Sequence, residues 1–106
     1  MNHGDSAELK SRWVAALRSG RYQQGKRRLS IRHRNGRESN CCLGVLCRVA
    51  RVRGWRDGAM LRDSDAGTDL AGQIGLGVHE EIELSLMNDN RNKSFREIAD
   101  WIEKNL

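Results

Sequence analysis

Proline is absent from this chain, and Trp13, Tyr22, Trp55, Phe95 and Trp101 are its only aromatic residues. With no proline, no low-complexity tract and no internal repeat, nothing reads as an interdomain linker, and the 106 residues are expected to form one domain. A platform for stacking bases would have to rest on Tyr22 and Trp55. No apolar run approaches the roughly 18 to 20 residues that span a bilayer, and the first residues lack the apolar core of a secretion signal. No membrane contact is expected, and the expected location is the cytoplasm, where thiols stay reduced. Three cysteines, two of them adjacent, are an odd set that suits free thiols better than a disulfide framework. A phosphate-binding loop is missing too, because Gly25-Lys26 and the glycines near 75 lack its spacing.

Acidic residues are nearly missing from one half of the sequence. Residues 10 to 56 carry fourteen Lys or Arg against Glu38 alone, a net of +13, whereas residues 57 to 106 carry five basic and eleven acidic residues, a net of −6. Such separation makes an electrostatically polar molecule unless folding interleaves the halves. A basic surface left over would recruit nucleic acid, a nucleotide or an acidic protein. What is present besides charge is a hydrophobic fraction of 38%, enough for a lean core at this length.

Hydrophobic spacing gives the elements. Asp5 and Glu8 resemble a capping box, and Leu9, Trp13, Ala16 and Leu17 then share one helical face until Gly20 stops the helix. Leu29 and Ile31 alternate between Arg27 and His33, Asn35-Gly36 is a hairpin turn, and the chain returns through Arg37 to Asn40. A helix from about Cys41 to Val52 follows, closed by Gly54, and then an irregular loop over 55 to 68. Asp69 is expected to cap a short helix through Ile74. Residues 79 to 87 fit strand and helix spacing alike, and their Glu, Leu and Met content selects helix. Asn88-Asp89-Asn90 reads as a turn or cap, and Ser94 with Glu97 as the capping box of a last helix with Phe95, Ile98, Ala99, Ile102 and Leu106 inward. The expected fold is α+β: about four helices and a short β-hairpin around the central apolar helix at about 41 to 52.

Cys41, Cys42 and Cys47 lie in the most apolar run of the chain. At about 100° per residue, a helix points Cys41 and Cys47 roughly 100° and 140° away from Cys42, in opposite senses. Zinc needs convergent ligands, and His33 or His79 would each add only one to a scattered set, so no metal or cofactor is expected. A nucleophile would need an exposed thiolate and a base, and no motif supplies the base, so no catalytic residue is assigned. On the same wheel Gly44, Arg48 and Arg51 form the only polar strip. Gly44 would let something approach closely, and the arginines must reach solvent, a carboxylate of the acidic half or an anionic ligand.

Arg27, Arg28, Arg32, Arg34 and Arg37 crowd the hairpin, and guanidinium forks suit phosphate. Together with Arg48 and Arg51 they are the candidate polyanion-binding residues.

Trp13 to Gly20 with Tyr22 and Gln24-Gly25, Cys41 to Cys47, Leu86 to Asp89, and Lys93 to Glu103 together resemble a family of small bacteriophage and prophage proteins. The resemblance implies a phage accessory protein acting in the host cytoplasm and carries over no activity, cofactor or site residue. Where that family often has an acidic residue after the third cysteine, this chain has Arg48. The expected function is a non-catalytic module binding a nucleic acid or nucleotide. The alternatives are a protein-binding inhibitor of a host or defence enzyme and a cysteine-dependent enzyme.

Overall fold

Leu9, Trp13, Val14 and Leu17 recur at three- and four-residue spacings and are all buried, which fixes the inner face of α1 (His3–Arg18). The computed structural model describes residues 3–106, with side chains from Ser6 onward. Because α1 already runs at His3, Asp5 lies inside its first turns and not at a cap, and the Asp5 side chain falls outside the described residues. Gly20, at φ +77°, turns the chain out of the helix.

The expected hairpin is present. Strands β2 (Ser30–Arg32) and β3 (Glu38–Asn40) pair antiparallel, with Ile31 opposite Ser39 and Arg32 opposite Glu38. His33 N–H donates to Arg37 O at 2.8 Å and Gly36 N–H to His33 O at 3.0 Å, while Gly36 takes φ +84°. A third strand, β1 (Gln23–Gln24), was not expected and pairs parallel to β3, giving the order β1-β3-β2.

Helix α2 (Cys42–Ala50) is the expected central helix, touching α1, α4, α3 and β3. It ends earlier than its apolar run, because Arg51 takes a left-handed conformation (φ 58°, ψ 34°) and donates its N–H to Arg48 O. The close approach at Gly44 is made by the hairpin backbone: a Cβ at Gly44 would stand 1.9 Å from Leu29 O. The hairpin lies directly on the helix there.

After an irregular stretch and a 3₁₀ turn over Leu61–Asp63, α3 spans Asp65–Gln73. Its cap is Ser64, whose hydroxyl accepts from Gly67 N–H at 3.0 Å, so the helix starts four residues before the expected cap Asp69. Helix α4 (Val78–Asp89) resolves the strand-or-helix ambiguity as helix, and its buried Glu81 accepts from Leu61 N–H at 2.7 Å and pairs with Arg62. Helix α5 (Phe95–Asn105) has the expected reciprocal cap, Ser94 with Glu97, and buries Phe95, Ile98, Ala99 and Ile102. The result is the expected α+β domain, with five α-helices among the described residues and a small sheet on one side of α2. No helix among the described residues is long and apolar enough to cross a membrane.

Two glycines in helices give opposite expectations. Gly44→Ala drives a methyl into Leu29 O and is expected to destabilise the fold by about 3 kcal/mol in urea unfolding. Gly72→Ala, with nothing within 4 Å of its new methyl, should instead stabilise by about 0.5–1 kcal/mol.

Candidate anion-binding surface

Glu38, the only acidic residue between positions 10 and 56, is committed inward. Its carboxylate accepts from Ser30 Oγ, from Asn40 Nδ2 at 3.2 Å and from Arg56 Nε at 3.2 Å, and stands 4.0 Å from Arg48. Partial burial pushes the carboxyl up, yet the hydrogen bonds from Ser30, Asn40 and Arg56 outweigh it and hold Glu38 below the usual carboxylate range. Arg48 also donates to Asn40 Oδ1 at 3.2 Å and lies over the Tyr22 ring, 4.8 Å from its centroid. So the inner arginine is held by the hairpin itself, and not by the C-terminal acidic helices.

The outer arginines differ. Arg27, Arg28, Arg32, Arg34 and Arg37 are exposed, and none has a carboxylate within 4.0 Å among the described residues. Arg32 lies across from Glu38 in the strand register, but the carboxylate turns to Ser30, Asn40 and Arg56 instead. Arg27 takes φ 71°, and its backbone N–H donates to Asp89 Oδ1 at 2.9 Å, which pins the start of the hairpin to the end of α4. The acidic half meanwhile pairs largely within itself, through Glu81 with Arg62, Glu83 with Arg91 and Glu97 with Lys93. Arg18 reaches across to it, 2.6 Å from Asp100 and 2.7 Å from Glu103.

The structure thus brings Arg27, Arg28, Arg32, Arg34 and Arg37 onto one hairpin and sets Arg48 and Arg51 apart from them. Those two border a cleft of about 420 Å³ between the C-terminal ends of α1 and α2, together with Arg12, Arg21 and Tyr22. Sequence spacing could not single out Arg12 and Arg21, because the cleft is assembled from three separate segments. Of the two aromatic residues that the sequence offered for stacking, Trp55 is only 1% exposed, with Arg56 over its ring, and offers no face to a base.

All three cysteines are free and buried. Burial pushes the Cys41 thiol up to about 11, the Cys47 thiol up to about 12, and Cys42 well above its ordinary value. The Cys42 thiol sits 3.7 Å from Leu84 O, as a donor inside the core. Removing water from the sulfur costs the thiolate its solvation, the reverse of what a nucleophile needs.

A family model described as a domain of unknown function (DUF8296) matches residues 5–64, more than half of the chain, and the chain belongs to that family. No curated protein and no solved structure matches it.

The thiols set a pH expectation. A thiol with a raised folded pKa stabilises the fold below its ordinary value of 9.0 and loses that contribution as pH climbs toward 11 and 12. Native protein at neutral pH should therefore resist a thiol-specific alkylating reagent, and urea-unfolding stability should decline above about pH 9. Rapid alkylation of folded protein would contradict this burial.

Proposed function

We propose that this member of the family is a non-catalytic binding module that holds a polyanion, the phosphate backbone of a nucleic acid, on the outer face of its hairpin. The carrying observation is that Arg27, Arg28, Arg32, Arg34 and Arg37 are exposed together with no carboxylate within 4.0 Å among the described residues, while Glu38 is turned inward. Guanidinium forks without internal partners are free to release counterions from phosphate, which drives sequence-independent binding. Base readout has little support, since Trp55 is enclosed and one face of Tyr22 is covered by Arg48. The burial of all three thiols speaks against the cysteine-dependent enzyme. The resemblance noted in the sequence supports a phage accessory protein acting in the host cytoplasm.

A second reading, a protein-binding inhibitor of a host or defence enzyme, has one observation in its favour. Val78, Ile82 and Leu86 line up every four residues on α4 and are 51%, 45% and 36% exposed.

Fluorescence anisotropy with labelled single- and double-stranded DNA and RNA separates the two. Five phosphate contacts predict that log affinity falls against log salt with a slope of about −3.5 to −4.5. Arg32→Glu with Arg34→Glu should weaken binding at least about tenfold and flatten the slope by about 2. Absence of binding to every oligonucleotide at low salt sinks the polyanion reading.

A further inference from the structure

We propose that the cleft between the ends of α1 and α2 is a second, discrete site, which takes the phosphates of a nucleotide, free or at the phosphorylated end of a strand. None of Arg27, Arg28, Arg32, Arg34 and Arg37 lines it, and Arg37 instead lines an adjoining depression that shares Arg21 and Tyr22 with it.

Four guanidinium groups, of Arg12, Arg21, Arg48 and Arg51, border this cleft, and among the described residues no carboxylate lines it, Glu38 standing behind Arg48 at 4.0 Å. Two helix C-termini end beside it, α1 at Arg18 and α2 at Ala50. Each contributes about half a negative charge, so together they offset about one of the four positive charges. Glu38, 4.0 Å from Arg48, offsets about one more, so about two remain, enough to hold a phosphate group. Charges of one sign gathered around a concave site raise the local concentration of a counter-charged ligand.

The four arginines divide into two pairs. Arg12 donates to Val49 O at 3.1 Å, and Arg48 is fixed by Asn40 and laid over Tyr22, so these two are pre-positioned by the fold. The Arg21 and Arg51 side chains have no hydrogen-bond or ion-pair partner among the described residues, and they flank the same opening. Two fixed forks and two free ones suit a ligand that is recognised first and then closed upon. The volume of about 420 Å³ falls within the roughly 300–1,000 Å³ of small-molecule sites. Between the arginines the lining includes Ala16 and Val49, an apolar floor for the part of the ligand that carries no charge.

The test is isothermal titration calorimetry at low salt with ATP, pyrophosphate, and one oligonucleotide bearing either a 5′-phosphate or a 5′-hydroxyl. Arg21→Gln with Arg51→Asn removes the two free forks, and Asn tolerates the left-handed backbone at position 51. Loss of at least about tenfold in ATP affinity in this variant, with wild-type melting temperature and no change in Arg32→Glu/Arg34→Glu, supports the site and assigns free nucleotide. A preference for the 5′-phosphate that disappears in the same variant, without ATP binding, supports it and assigns a strand end. No binding of any probe, equal binding by Arg21→Gln/Arg51→Asn and wild type, or loss confined to the hairpin variant overturns it. The last of these leaves the hairpin reading standing, so the two sites fail separately.

Discussion

The carboxamide of Asn88 holds three parts of this fold at one point. It is fully buried at the end of α4, and both its ends are used twice. Its oxygen accepts from Gln24 Nε2 at 3.0 Å and from Cys42 N–H at 3.2 Å, and its nitrogen donates to Gly25 O and Asp89 Oδ1, each at 2.8 Å. Helix α2 begins without a side-chain cap of its own, since Cys41 supplies none. Asn88 provides the missing acceptor from another helix, while the same group fixes β1 beside it. A buried amide with four partners has no cheaper arrangement elsewhere, so α2, the sheet and α4 are set in one mutual position.

From that point the basic surface follows by packing. With α2 and the sheet fixed, Gly44 admits the Leu29 carbonyl, and Asn40 Nδ2 donates to the same oxygen at 2.9 Å. Asn40 in turn holds Arg48 and Glu38. The scarce carboxylate of the basic half is thereby taken up by Ser30, Asn40 and Arg56, and the arginines on the outer side of the hairpin have none within 4.0 Å among the described residues. Exposure of the basic cluster is a consequence of how the interior satisfies its own polar groups.

What the sequence disclosed follows the same division. The stripes of Leu9, Trp13 and Leu17 and of Phe95, Ile98 and Ile102 repeat at helical spacing, and both helices lie where that spacing puts them. Gly44 announced a close approach because a glycine on the polar side of an apolar helix has few other uses. Strand β1 was invisible, because Gln23-Gln24 has no alternation and exists only through its pairing with β3. Ser64 was hidden among aspartates that serve equally well as caps. Asn88 sat in a run that reads as a turn, and Asn90 is indeed the cap of α4, but nothing local shows that Asn88 points into the core. The arginine cleft was beyond reach for the same reason: its members belong to α1, the segment after it, and α2.

The charge arrangement itself bears on what the surface is for. Salt bridges inside the acidic half keep Glu81, Glu83 and Glu97 occupied near their own backbone, so folding does not use them to quench the hairpin or the cleft. Arg18, paired with Asp100 and Glu103, shows that the geometry allows such crossing where α1 and α5 meet. On the hairpin side the fold accepts repulsion among exposed arginines, a cost to stability that grows as salt is lowered. An anion held there, as proposed, would relieve that repulsion most at low salt, where the bare fold is weakest. Under the proposed polyanion binding, stability and binding are coupled through the same side chains, with opposite dependence on ionic strength.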